Sequence, residues 1–242
     1  MATVCKYMSA SRFAEHMDEY LEGKLYFAKW WDELNDPKEG KYLAGTMACD
    51  SDAKDVLRNM KYEVRVCSAT ENDVENMRLW EMYAQNHSGV CMVINTDDSL
   101  CTKCQNEDTL TNEHMIFHPV DYNSGLLRVH DISHNPKKAA IDILMRKLNS
   151  WKQEREMRFL GLADNDGIRK NGMAKIGEVA EIIFGPNFTD LATYTRLRKK
   201  LRNSRNSNSN EIRNIKLKSA RFPGVVVDDF DLNGCDVILG GT

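Results

Sequence analysis

Trp151-Lys-Gln-Glu-Arg-Glu-Met-Arg-Phe-Leu160 places two carboxylates and an arginine at alternate positions. It follows an expected helix and runs into Gly161. Read as a strand, it carries Glu154, Glu156 and Arg158 on one face, because side chains alternate with period two. The two carboxylates then stand side by side, roughly 7 Å apart at Cα. Like charges that close raise the cost of ionising one another, and Arg158 can offset this by pairing with one of them. Two readings stay open on this pattern: a solvated strand face with an ordinary ion pair, or a carboxylate poised for chemistry on a sugar or a nucleotide.

Upstream, Asn135-Pro136 is a helix start, with Asn as cap and Pro in the first turn. Ile141, Leu144, Met145, Leu148 and Trp151 then recur at helical spacing, which predicts a helix that delivers the chain into the strand. Residues 63–68 and 90–94 read as strands. Between them a helix over 72–86 carries Leu79, Trp80, Tyr83 and Ala84 on one side and is broken by His87-Ser-Gly89. Trp80, Tyr83 and His87 fall at three- and four-residue steps and can line one pocket edge. A His after a helix serves equally well as a cap or hydrogen-bonding group. Near the start, Phe13, Met17, Tyr20 and Leu21 are helically spaced and stop at Gly23. A strand over 24–28, then Trp30-Trp31, leads to the turn Leu34-Asn-Asp-Pro-Lys-Glu-Gly40, where Pro37 forces Asp36 out of the helical region.

Downstream of the opening stretch, residues 164–172 read as a polar loop and 179–184 as a strand closed by Gly185-Pro186-Asn187. Thr189 is placed to cap a basic helix through Leu191, Tyr194, Leu197 and Leu201. The low-complexity run over 203–210 reads as a mobile loop, residues 212–222 and 225–227 as strands, and 239–242 as a frayed end. About seven short strands and four helices without a βαβ rhythm point to an α+β fold with largely antiparallel sheet. No P-loop, Rossmann glycine motif or Gly-x-Ser-x-Gly elbow is present.

The chain of 242 residues is 42% hydrophobic, enough for a core, and reads as one domain with a basic C-terminal extension from about residue 190. No run reaches the length of a membrane span, and Met1-Ala-Thr-Val-Cys-Lys-Tyr7 has no apolar signal core. Seven irregularly spaced cysteines then suit reduced thiols, so a cytoplasmic location without membrane contact is expected. Cys101-x-x-Cys104 with His114 and His118 resembles a zinc site in its residue order. The gap from Cys104 to His114 is short, and the histidines stand just before and within an apparent strand over 115–122, so free thiols in a loop are the favoured reading. Charge is uneven. From Arg196 to Arg221 ten Lys or Arg face one acid, Glu211, a net +9 that leaves −12 for the rest of a chain totalling −3. Arg196, Arg198, Lys199, Lys200, Arg202 and Arg205 are thus candidates to bind RNA or DNA, or else a solvated basic helix face.

In order and spacing, these motifs resemble a bacterial and phage family, the domain-of-unknown-function family twenty-nine seventy-one. The resemblance runs over roughly residues 5 to 190. It rests on Lys6-Tyr7, Leu25-Tyr26-Phe27, the Asn-Asp-Pro turn, Cys67-Ser68, Leu79-Trp80-x-x-Tyr83, His87-x-Gly89, Trp151-x-x-Glu154-x-Glu156-x-Arg158 and Ile182-Ile183-x-Gly185-Pro186. Lys38 stands where the family usually has an aromatic. The family is in turn distantly similar to ADP-ribosyltransferases, which bind NAD between two small antiparallel sheets and often end on a strand with Glu-x-Glu, the form of Glu154-Arg-Glu156. The resemblance implies that Glu156 contacts the nicotinamide ribose and stabilises the oxocarbenium-like state, with Glu154 beside the acceptor. It implies that Lys6 or His87 meets the pyrophosphate or adenosine ribose, that Tyr7, Trp80 or Tyr83 stacks on nicotinamide, and that Arg158 belongs to the cofactor site. The implied function is NAD-dependent mono-ADP-ribosyl transfer to nucleic acid or protein by a toxin, defence or counter-defence factor, with a cognate antitoxin or target protein as a further partner. The alternative is a non-enzymatic nucleotide- or nucleic-acid-binding protein on the same fold. A hydrolase built on Glu154 and Glu156 is a third.

Overall fold

The computed structural model describes residues 2–34, 36, 38–44, 51–71, 73–129, 135–206, 215–221 and 226–229. The chain begins with β1 (Thr3–Met8), α1 (Ala10–Glu15), α2 (Met17–Leu21), β2 (Lys24–Tyr26), β3 (Tyr42–Ala44), α3 (Ser51–Glu63) and β4 (Val64–Glu71). It continues through α4 (Met77–Met82), β5 (Val90–Thr96), β6 (Cys101–Lys103), β7 (Met115–Pro119), β8 (Asp121–Asn123), β9 (Leu127–Val129), α5 (Pro136–Leu144) and β10 (Arg146–Leu148). A 3₁₀ helix (Asn149–Glu154) precedes β11 (Glu156–Leu162), α6 (Asp166–Asn171), β12 (Met173–Lys175), β13 (Gly177–Phe184), α7 (Leu191–Asn206), β14 (Lys216–Arg221) and β15 (Val226–Asp229). This is a mixed α+β chain whose long strand pairings are mostly antiparallel. It divides into two compact units, each assembled from separated segments.

The first unit comprises Met1–Lys24, Asn72–Thr96 and Gly177–Thr242. Its strands run in the order β15-β14-β13-β5-β1, parallel only between β13 and β14. Cys5, Tyr7, Leu79, Trp80, Ala84, Cys91, Val93, Ile183 and Ala220 form one apolar cluster. Burying these large side chains is its main source of stability. The predicted first helix breaks at His16 into α1 and α2. The predicted helix over 72–86 is shortened to α4, because Gln85, Asn86 and His87 adopt positive φ of 50, 52 and 67°. That left-handed run lets the Gly89 amide donate to the Ala84 carbonyl at 2.7 Å and sends the chain into β5.

The second unit comprises Leu25–Glu71 and Asp97–Ile176. Its strands run β4-β11-β7-β6, with β11 hydrogen-bonded on both sides. Lying between two neighbours, β11 is buried at every residue from Glu156 to Gly161, so its apolar half reads as a continuous run rather than an alternation. Short pairs β8–β10, β2–β12 and β3–β9 complete the unit. Val66, Leu110, Ile116, Ile141, Leu144 and Leu160 share one core cluster, and Leu57, Ala139, Ala140 and Ile143 another.

The structure corrects the local reading at four further places. The opening stretch is not all strand, since residues 149–154 form the 3₁₀ helix and β11 begins at Glu156. The helix expected to reach Trp151 ends at Leu144, and Arg146–Leu148 instead pairs with β8. The polar loop over 164–172 contains α6, capped by Asn165 and closed by Gly172 at φ 73°. Residues 203–206 belong to α7 rather than to a loop. The rest of that loop, the first part of the 212–222 strand, the frayed end, Asn35 and Pro37 lie outside the described residues.

Candidate functional site

Arg155 is the hinge of the site. At φ 45° it closes the 3₁₀ helix in the left-handed region, a conformation that β-carbons disfavour. The turn is fixed from β4. The Thr70 hydroxyl donates to the Glu154 carbonyl at 2.8 Å, and the Glu71 amide donates to the Arg155 carbonyl at 3.2 Å. Glu154 and Glu156 are therefore not successive residues of a flat strand face, yet the reversal between them brings both carboxylates to one cation. Lys147 of β10 donates from Nζ to Glu154 Oε2 at 2.7 Å and to Glu156 Oε2 at 3.0 Å. The Trp151 ring lies 4.8 Å from that ammonium, a favourable place for a cation.

Arg158 completes the cluster. Its Nε donates to Glu156 Oε1 at 3.0 Å and its Nη2 to Glu156 Oε2 at 3.2 Å. The two terminal nitrogens also grip Glu39 bidentately, at 2.9 and 2.7 Å, and Nη1 donates to the Leu144 carbonyl. All five N–H groups of the guanidinium are thus used. Glu39, Lys147, Glu154, Glu156 and Arg158 are all buried, with Arg158 at 0% exposure. That Arg158 pairs with one of the two carboxylates was legible in the sequence, and the structure makes it Glu156; Lys147 and Glu39 were missed, because nothing local links them to the pair.

Burial opposes every charge here, and the partners decide the balance. For Glu156, desolvation pushes the carboxyl up, but Arg158 and Lys147 overcome it and hold the group at about 2. Desolvation would also lower Lys147, yet Glu156 and Glu154 raise it. Glu39 behaves differently: burial dominates, and although Arg158 opposes it, the carboxyl is raised. The Tyr122 hydroxyl accepts from the Glu156 amide at 2.8 Å, and burial pushes its pKa up, keeping it a neutral phenol. The set carries three carboxylates against two cations, and Glu39 is the one whose charge the site least supports.

The other candidates sit in the first unit. Tyr7 and Trp80 meet edge to face at 5.1 Å and are buried. Each spends its polar tip on backbone, Tyr7 Oη on the Asp73 carbonyl and Trp80 Nε1 on the Val74 carbonyl. Tyr83 is half-buried against the same cluster, and Lys6 lies half-buried on β1. His87 approaches Glu81 at 3.9 Å. The two glycine motifs around it meet each other. The Gly185 amide donates to the Gly89 carbonyl at 3.0 Å and the Asn187 amide to the His87 carbonyl at 3.0 Å. On α7, Thr193, Leu197 and Leu201 are buried while Arg196, Lys199 and Arg202 are exposed. Arg196 lies 3.7 Å from Asp18, Lys200 also pairs with Asp18, and Arg198 sits over Tyr194 at 5.7 Å.

In the Cys/His set, Cys101 Sγ is directed at the Asp97 and Ile176 carbonyls, His114 bonds Thr102 and Ser99, and His118 bonds Gln105 and Pro119. Among the described residues no group of three or more His, Cys, Asp or Glu side chains could hold a metal ion. No helix among them is long and apolar enough to cross a membrane.

Residues 79–159 match the family described as a protein of unknown function, DUF2971. The matched segment opens on the Leu-Trp-x-x-Tyr motif and closes just past Arg158, so it contains Lys147, Glu154, Glu156 and Arg158 but not Glu39 or α7. No curated protein and no solved structure matches the chain.

Proposed function

We propose that this chain is an NAD-dependent mono-ADP-ribosyltransferase-like protein of bacterial or phage origin, with Glu156 as its catalytic carboxylate and Glu154 beside the acceptor. One observation carries the reading: Glu156 is held ionised and immobile inside the protein by Arg158 and Lys147. A fixed negative charge in a water-poor setting is what a positively charged, oxocarbenium-like sugar requires for stabilisation. In the reaction the bond from ribose C1′ to the nicotinamide nitrogen breaks and its electron pair leaves with nicotinamide. An acceptor O–H or N–H then bonds to C1′ and gives its proton to Glu154 or to water. Lys147 aligns the two carboxylates with each other. Glu156 is only 4% exposed, so turnover requires displacement of a group that covers it. Nicotinamide release from labelled NAD, with cell RNA and protein as acceptors, tests the reading. Wild type should release nicotinamide and Glu156→Gln, still folded by circular dichroism, should lose roughly 100-fold or more, the scale of losing one transition-state electrostatic contact. Turnover retained in that variant would end the assignment.

A second reading, a non-enzymatic nucleic-acid binder, draws on α7. That helix carries Arg196, Arg198, Lys199, Lys200, Arg202 and Arg205 and no acid within its span. Lys199→Glu with Arg202→Glu should then weaken RNA binding and flatten its salt dependence. Unchanged affinity would remove this reading.

A further inference from the structure

Glu39 reaches Arg158 from 119 residues away and takes both terminal guanidinium nitrogens in a fork. That is the geometry in which Arg binds phosphate as readily as carboxylate. The rest of the cluster does not need it. Without Glu39, Lys147 and Arg158 balance Glu154 and Glu156 charge for charge. Glu39 is the supernumerary anion.

The segment that carries it is held by contacts of its own. Lys38 N donates to Asp36 Oδ1 at 2.9 Å, and Glu39 N donates to the Asp36 carbonyl at 2.9 Å. Gly40 sits at φ 64° with its Cα against Trp30, where a β-carbon would come within 2.3 Å of the ring. Lys61 Nζ donates to the Gly40 carbonyl and lies 4.2 Å from the centre of the Trp30 ring, whose Nε1 donates to the Lys61 carbonyl at 2.7 Å. These contacts support residues 38–40 independently of Arg158, so the segment need not unfold for Glu39 to let go.

We propose that Glu39 is a built-in occupant of an anion site: its carboxylate stands on Arg158 where a phosphate of the dinucleotide substrate binds, and its withdrawal opens the site. The proposal rests on the transferase reading for the identity of the substrate, but the anion site itself does not. A tethered carboxylate competes at an effective concentration on the order of millimolar. It lowers the apparent affinity of every anion for Arg158 by one common factor, so a ligand displaces it once its concentration exceeds its own Kd raised by that factor. The same contact ends a chain of ion pairs that runs from Glu154 through Lys147, Glu156 and Arg158 to Glu39. It also makes the resting protein self-inhibited, with activity set by how often Glu39 releases Arg158.

The test compares the full-length wild type with Glu39→Gln, Glu39→Ala and Glu39→Ala combined with Arg158→Lys. Inorganic pyrophosphate is the calorimetric probe, and nicotinamide release from NAD is measured in parallel. Glu39→Ala should tighten pyrophosphate by about tenfold, the recovery expected when a competing internal state is removed, and Glu39→Gln by less. Adding Arg158→Lys should cancel the gain, because a lysine cannot form the fork. Pyrophosphate affinity unchanged by both Glu39 substitutions overturns the proposal. So does loss of folding in both, which would make Glu39 structural. Tighter pyrophosphate with no nicotinamide release in any variant upholds the anion site and rejects the transferase reading. Nicotinamide release in wild type with unaltered pyrophosphate binding in Glu39→Ala does the reverse.

Discussion

Lys147 shows how much of a buried site a single residue can decide. Its ammonium is shared by Glu154 and Glu156 at 2.7 and 3.0 Å, and its side chain is 3% exposed. Replacing it with Met keeps the length and loses the charge, leaving two carboxylates facing each other with only Arg158 nearby. Breaking a buried pair by removing one partner costs roughly 3–5 kcal/mol. We expect Lys147→Met to lose stability on that scale in urea unfolding, and the double variant with Glu154→Gln to lose less than Lys147→Met alone. A loss in the double variant equal to the sum of the two single losses would mean that the two side chains act independently. At this scale the sequence was half legible. Alternation along a strand placed Arg158 beside one of the two carboxylates, and it is Glu156, two residues away, that it holds. Glu154 reached the same cluster by a left-handed turn at Arg155 that no side-chain pattern announces, since Arg is not a residue that favours positive φ. Glu39 reads from the sequence only as part of a turn, because a partner 119 residues distant leaves no local trace.

Among the elements, the clearest failure and the clearest success have the same origin in tertiary contact. Apolar spacing from Ile141 to Trp151 reads as one helix, but the chain leaves the helix after Leu144. Continuing it would carry Lys147 round the helix axis instead of along β10, from which its ammonium reaches the carboxylates. Ion pairing and the β8 ladder together outweigh a propensity worth only tenths of a kcal/mol per residue. The glycine motifs were legible as punctuation, and their cause is now visible. His87-x-Gly89 and Gly185-Pro186 are the two sides of one close backbone approach. A β-carbon on Gly185 would stand 2.0 Å from the His87 carbonyl oxygen, and one on Gly89 would stand 2.2 Å from that of Met8. Both obstacles are backbone, so neither yields by a rotamer change. Gly185→Ala should therefore cost at least the roughly 1–3 kcal/mol of an overpacked site. Hydrogen exchange should show lost protection at the amides of Gly185 and Asn187, which bond across this approach. A neutral Gly185→Ala would show that the two turns can separate freely.

For the whole molecule, the two compact units are invisible in a linear reading, because the first is gathered from three segments and the second from two. What the complete chain does reveal is the balance of its buried charges with pH. Glu156 has its folded value near 2, below the ordinary 4.5. The stability it contributes is fully present above pH 4.5 and is lost as pH falls from there toward 2. The size is about 3 kcal/mol, because lowering a pKa by one is worth roughly 1.4 kcal/mol. Glu39 has the opposite sign. Its folded value is raised by burial, so the native state holds that proton more tightly than the unfolded chain does, and stability falls as pH rises above 4.5 through the folded value. Lys61, lowered by burial to about 8, titrates outside this range. Asp97 and Asp190, lowered chiefly by hydrogen bonds from Ser99 and Thr193, add to the acid limb only. Urea unfolding between pH 3 and 7 should therefore give wild type a rise followed by a decline, and Glu39→Gln the same rise without the decline. Glu156→Gln should show a shallower rise. If Glu39→Gln declined as steeply as wild type, Glu39 would be ionised at no cost to the fold. The carboxylate would then be an ordinary partner of Arg158 rather than the member that the cluster can most readily give up.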